Sequence, residues 1–161
     1  MTTTSDVRRA ELVGRVEEFR DAYMARDLDR MTGAFAEDAE LTAAPGTFRG
    51  KDAIRDFLAW DARLSPTAVV RDVGIGLLVC PPTVVWEREI SLTYEGVPYQ
   101  ELAATVIEFD DANQIRRYRS YYDKLAVIDE IAHGMPGLAG LVTRSVTGYL
   151  VRAGKKGLNA S

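Results

Sequence analysis

Residues 84–109 read VVWEREISLTYEGVPYQELAATVIEF, two strand-like runs that meet at Glu95-Gly96. Side chains alternate along a strand, so Trp86, Ile90 and Leu92 share one face while Glu87, Glu89 and Ser91 share the other. Arg88 falls on the apolar face. A two-residue turn at Glu95-Gly96 sets the pairing by counting. Leu92 then faces Tyr99, Ile90 faces Glu101, Arg88 faces Ala103 and Trp86 faces Thr105. A four-residue loop at Asp110–Asn113 extends the count, placing Thr105 opposite Tyr118, Ala103 opposite Ser120 and Glu101 opposite Tyr122.

Three adjacent strands thus present Trp86, Arg88, Ile90, Leu92, Tyr99, Glu101, Ala103, Thr105, Tyr118, Ser120 and Tyr122 on a common face. Arg88 and Glu101 are diagonal neighbours there, about 7–8 Å apart at the backbone and within reach of each other's long side chains. A contact between them avoids the several-kcal/mol cost of an isolated buried charge. Arginine lowers a nearby carboxylate pKa and burial raises it, so the balance at Glu101 depends on packing. Two arrangements fit this pattern: a polar patch closed inside a core, or the wall of an apolar pocket with Glu101 as its acid-base group.

The flanking sequence supplies the cover. Between Ser5 and Ala25, Leu12, Val16, Phe19 and Tyr23 recur at spacings of four and three, which is one stripe of a helix. Asp27 suits the cap of a short second helix carrying Leu28, Met31 and Phe35, and AELTA from Ala39 reads as a brief strand ended by Pro45-Gly46. A third helix is expected from Lys51 to Arg63, with Ile54, Phe57 and Leu58 inward. Strand runs follow at Ala68–Cys80, Thr83–Thr93, Pro98–Phe109 and Gln114–Tyr122. Helices first and an antiparallel meander afterwards predict an α+β fold with helices on one face of a curved sheet. After Asp123, LAVIDEIA starts another helix, and Leu138–Val151 forms a second amphipathic segment leading to GKKG. That tail suits packing on the domain or a partner subunit, a pocket lid, or a membrane-surface helix.

With 161 residues and a net charge of -4, the chain has the size of one domain and lacks the broad basic face that nucleic acid requires. The single cysteine, Cys80, excludes an internal disulfide and fits a reducing, cytoplasmic compartment. MTTTSDVRRAEL has no apolar signal-peptide core, and no segment has the length of a membrane span. Cys80 has no evident histidine partner and is expected as a buried, inert thiol, while His133 is expected on the surface of the tail. One histidine and one cysteine make no standard zinc site. Gly74-Ile75-Gly76 lies within a strand, where glycine permits sharp curvature.

The runs AFAEDAELTAAPGTFRGKDAIRDFL and VVWEREISLTYEGVPYQELAATVIEFDDANQIRRYRSYYD resemble the SnoaL-like and limonene epoxide hydrolase-like branch of the nuclear transport factor 2 superfamily. The resemblance spans roughly Val7 to Ile131 and rests on FAEDA before a strand, a helix opening at FRGKDAI, and a last strand ending aromatic-aromatic-Asp. It implies a cone-shaped α+β barrel, a curved, mostly antiparallel sheet wrapped by about three helices around a deep apolar pocket, usually in homodimers. Residues 1–131 would form this domain and 132–161 a C-terminal helical extension. Arg88 matches the arginine of the hydrolases' Asp-Arg-Asp set, but Ile90 and Ser120 stand at the aspartate positions, with Leu41 and Ala43 at those of the water-positioning tyrosine and asparagine. The ketosteroid isomerase set of tyrosine, acid and aspartate base falls on Phe19, Thr105 and Ala43.

The expected function is therefore a cofactor-independent enzyme acting by acid-base chemistry on a small apolar metabolite of polyketide, terpenoid or steroid type. Cyclisation or isomerisation leads; epoxide opening with an altered catalytic set and non-catalytic binding are the alternatives. Glu101 and Arg88 are the expected catalytic residues. Phe19, Tyr23, Trp86, Ile90, Tyr99, Ala103, Thr105, Tyr118, Ser120 and Tyr122 are the expected substrate wall.

Overall fold

A computed structural model describes residues 4–94 and 96–154. Glu95 of the expected turn and Lys155-Lys156 of the basic tail lie outside the described residues. The elements run α1 (Thr4–Met24), α2 (Leu28–Gly33), β1 (Phe35–Ala43), β2 (Gly46–Arg49), α3 (Lys51–Leu64), β3 (Ala68–Cys80), β4 (Thr83–Tyr94), β5 (Val97–Phe109), β6 (Ile115–Tyr122), α4 (Lys124–Gly134) and α5 (Gly137–Gly154).

Leu12, Val16 and Phe19 of α1 are buried, as their spacing requires, and Asp27 caps α2 by accepting a hydrogen bond from the Arg30 backbone at 3.0 Å. Gly50 precedes α3 at φ 81, a conformation that favours glycine. Ile54 and Leu58 of α3 complete the helical side of the core.

The six strands form one sheet in the order β2-β1-β6-β5-β4-β3. Every pairing is antiparallel except β1 with β6, which sets Leu41 beside Tyr118. Burial alternates along β4 so that Val84, Trp86, Arg88, Ile90 and Leu92 all point inward. The β4–β5 register is the counted one, with Arg88 opposite Ala103 and Ile90 opposite Glu101. The β5–β6 register differs: Ala103 pairs with Tyr122, Thr105 with Ser120 and Ile107 with Tyr118. Two single-residue slips explain it. The loop closes as Asp110 to Gln114, where the Asp110 carboxylate accepts from the backbones of Ala112 and Gln114, and the ladder then shifts again between Glu108 and Phe109. Because the slips add to two, the inward face is retained.

On β3, Asp72 pairs with Arg88 and Leu77 with Trp86, so five residues of β3 advance against two of β4. Gly74 and Gly76 supply φ values of 56 and 60 within that bulge. The expected curvature at Gly74-Ile75-Gly76 is met by a local bulge in which left-handed backbone is concentrated. β1 begins at Phe35 rather than Ala39, and β2 was not expected, because the four residues from Gly46 to Arg49 carry too little pattern to read as a strand. Cys80, expected to be buried, is exposed at the end of β3.

The tail forms two helices. Asp123 caps α4 through the Leu125 and Ala126 amides. Glu130 then accepts from the Gln100 backbone of β5 at 3.1 Å. The expected junction at 131/132 falls inside α4. α5 is held to α4 through Thr147, whose hydroxyl donates to Asp129. No described helix is long and apolar enough to cross a membrane.

Candidate active site

Helices α1 and α3 stand over the inward face of the sheet and leave a cavity of about 290 Å³. Its wall is made by Phe19 and Tyr23 of α1, Leu41 and Ala43 of β1, Phe57, Trp60 and Asp61 of α3, and the inward residues of β4, β5 and β6. Of the residues anticipated from sequence, Phe19, Tyr23, Trp86, Arg88, Ile90, Tyr99, Glu101, Tyr118, Ser120 and Tyr122 line it. Ala103 and Thr105 do not: both are buried outside the lining, and the Thr105 hydroxyl donates to Ser120 at 3.4 Å. Their short side chains leave room for Arg88 to reach across β5 to Tyr118.

Arg88 is 5% exposed. Its Nη2 donates to the Tyr118 hydroxyl at 2.8 Å, and its Cζ lies 4.2 Å from the Trp86 ring centre. The guanidinium therefore leans back along β4 towards Trp86, away from Ile90 and the Glu101 opposite it. Direct ion pairing of Arg88 with Glu101, expected from the diagonal placement, is absent among the described contacts; the two act on each other through space. Nη1 of Arg88 is buried without a hydrogen-bond partner among the described residues.

Glu101, 9% exposed, meets no hydrogen-bond donor among the described residues. Burial pushes its carboxyl from 4.5 up to about 7, against the lowering pull of Arg88 and with a further raising contribution from the negative charge of Asp61. Desolvation wins because Arg88 is not in contact. Burial likewise raises the hydroxyl pKa values of Tyr99 and Tyr122, and Glu101 adds to both.

Asp61 was not legible as a site residue, yet it occupies the opposite wall. Tyr23 donates to its Oδ2 at 3.0 Å, and Arg26 Nη1 lies 3.6 Å from the same oxygen. Burial raises the Asp61 carboxyl, while Tyr23, Arg26 and Arg88 each pull it down. Arg26 stacks 4.6 Å from the Tyr23 ring centre and donates to the Ser65 carbonyl, with its own backbone at φ 56. Such a conformation costs a non-glycine residue on the order of 1–2 kcal/mol, which the Asp61, Ser65 and Tyr23 contacts offset. The overlooked signal was spacing: Ile54, Leu58 and Asp61 fall at intervals of four and three, putting a carboxylate on the apolar stripe of α3.

No group of histidine, cysteine, aspartate and glutamate suited to a metal occurs among the described residues. The exposed His133 turns its Nδ1 to the Asp129 carbonyl at 2.7 Å, within its own helix. Among the described residues, none of α4 or α5 lines the cavity, and α4 packs against β5.

Comparison with known proteins places this arrangement. The model of the SnoaL-like domain matches residues 16–118. No curated protein matches the chain. Among solved structures, an LEH-like epoxide hydrolase of M. tuberculosis superposes with a TM-score of 0.68 at 22% identity, covering 86% of this chain and 97% of that one. A putative polyketide cyclase from Xanthomonas campestris pv. campestris gives 0.70 at 21% identity, over 77% and 98% of the two chains. A hypothetical protein of ketosteroid isomerase-like fold from Catenulispora acidiphila DSM 44928, solved in complex with trimethylamine, gives 0.67 at 19%, over 76% and 93%. At these identities the likeness is one of fold.

Proposed function

This chain belongs to the SnoaL-like domain family, and we propose that it is a cofactor-independent enzyme of acid-base type, isomerising or cyclising a small apolar metabolite. The observation that carries the reading is Glu101: a carboxyl on the wall of a mainly apolar cavity, without a donor among the described residues and raised to about 7. A group whose pKa lies near the working pH is populated in both protonation states and exchanges a proton with little driving-force penalty. Glu101 takes a proton from a carbon acid and returns it elsewhere. Arg88 stabilises the oxygen on which negative charge develops, as a desolvated donor preorganised by Trp86 and Tyr118.

Epoxide hydrolysis is the weaker alternative, because Arg88 is braced by a tyrosine and an indole, with Ile90 and Ser120 where the hydrolases carry aspartates. The cavity volume lies at the lower end of the range for ligand pockets and favours a molecule of one or two rings over a larger one.

The test is a screen of unsaturated ketones, phenolic ketones and epoxides for turnover by chromatography coupled to mass spectrometry, which separates isomers of equal mass, followed by Glu101→Gln on the best substrate. The expected result is a loss of 10²–10⁴-fold in kcat and, in the wild type, a kcat/KM profile with an inflection near pH 7. Undiminished turnover by Glu101→Gln overturns the assignment; a pocket that binds but never converts its ligands leaves the protein as a binder.

A further inference from the structure

Besides Glu101, two charged groups line the cavity, one from the sheet and one from α3, and they are held by different neighbours. Arg88, from β4, is braced by Trp86 and Tyr118 and retains a buried Nη1 with no acceptor among the described residues. Asp61, from α3, is fixed by Tyr23 and Arg26, both of which contact Oδ2 and leave Oδ1 to accept from elsewhere. The lining around them is largely apolar and aromatic. Arg88 lines the cavity, and a ligand oxygen seated against its guanidinium accepts a charge-assisted hydrogen bond. An oriented carboxylate at the far wall accepts a hydroxyl in the same way.

We infer that the cavity recognises a one- or two-ring molecule bearing oxygen at both ends, a carbonyl seated on Arg88 and a hydroxyl donating to Asp61. This rests on the acid-base reading of Glu101 and names the substrate class that reading lacked. Glu101, on the neighbouring strand, then meets the ring carbons rather than either oxygen. Asp61 is a binding residue in this scheme, and Tyr23 and Arg26 are positioning residues that fix its carboxylate.

The chain holds two tryptophans, Trp60 and Trp86, and both line the cavity, so intrinsic fluorescence reports occupancy directly. Four probes of one carbon skeleton separate the poles at pH 6.5, where both phenols keep their protons: tetralin, 1-tetralone, 5,6,7,8-tetrahydro-2-naphthol and 6-hydroxy-1-tetralone. The hydroxyketone is expected to bind at least tenfold more tightly than either single-function probe, with tetralin weakest. Asp61→Asn should remove the advantage conferred by the phenol while leaving that of the ketone, and Arg88→Met should do the reverse. If Arg88→Met fails to fold, Arg88→Lys keeps the charge but loses the planar fork, and should cut the ketone advantage at least fivefold.

Equal affinities across the four probes overturn the inference. So does a phenol advantage that survives Asp61→Asn and disappears in Glu101→Gln. The first outcome leaves the role of Glu101, which is read from turnover, untouched, while the second reassigns the hydroxyl contact to Glu101; conversely, full turnover by Glu101→Gln would leave the binding ratios intact.

Discussion

The Tyr118 hydroxyl accepts a hydrogen bond from Arg88 across 30 residues of sequence, on a strand that is not a direct neighbour of β4. β5 separates them, and the contact is possible because Ala103 and Thr105, the β5 residues opposite Arg88 and Trp86, are small. A long side chain on β4 can pass over them to β6. Tyr118→Phe leaves a second guanidinium nitrogen buried without an acceptor, and is expected to destabilise the protein by about 1–3 kcal/mol. Urea unfolding monitored by tryptophan fluorescence measures this; a change below about 0.5 kcal/mol would show that water replaces the hydroxyl.

Glu101 links stability to pH. Its carboxyl is raised in the folded chain from 4.5 to about 7, so the folded state holds the proton more tightly than the unfolded one. The contribution to stability is complete below the ordinary carboxylate range and is lost as pH rises through 7, with an upper bound of about 3 kcal/mol. Glu101→Gln has no such dependence. The stability of wild type relative to Glu101→Gln should therefore fall by about 1–3 kcal/mol between pH 5 and pH 8, and parallel curves would contradict the raised carboxyl.

The two carboxyls are coupled. Asp61 raises Glu101, and Arg88 lowers it. In ¹³C-carboxyl NMR titrations, Asp61→Asn should move the Glu101 midpoint down and Arg88→Met should move it up. Tyr23→Phe removes a hydrogen bond that favours the charged form of Asp61, so the Asp61 midpoint should rise. An unmoved Glu101 in Asp61→Asn would place the carboxylates too far apart to share one substrate.

Two glycines make opposite forecasts. Gly14 lies within α1 with nothing within 4 Å of an added Cβ, so Gly14→Ala should stabilise by about 0.5–1 kcal/mol. Gly74 sits at φ 56, where an added Cβ collides with the Glu87 carboxylate that accepts from the Ile75 backbone at 3.0 Å. Gly74→Ala should destabilise by about 1–2 kcal/mol, and thermal unfolding distinguishes the two signs.

The inward face of β4 and β5 could be read from alternation because a tight turn leaves no freedom in the count. β6 could not be placed by the same method, since one residue entered the loop at Gln114 and another was absorbed beside Phe109. Glu101 and Arg88 stood out as charges on an apolar strand face. Asp61 made the same anomaly on a helix, but the partners that define it, Tyr23 and Arg26, lie 38 and 35 residues away (61 − 23 and 61 − 26), a separation no local pattern encodes. The exposure of Cys80 depended on how β3 ends beside Pro81, again a tertiary matter.

The parallel pairing of β1 with β6 also governs the order of assembly. Leu41 and Tyr118 are 77 residues apart (118 − 41), yet they are adjacent in the sheet, and both line the cavity. Closing so long a loop is entropically costly before any contact compensates it, which slows folding in chains rich in such pairings. A growing chain on the ribosome makes α1, α2, β1, β2 and α3 long before the strand that must receive β1 exists. The stretch of pocket wall that joins Leu41 to Tyr118 is therefore complete only once β6 has paired with β1.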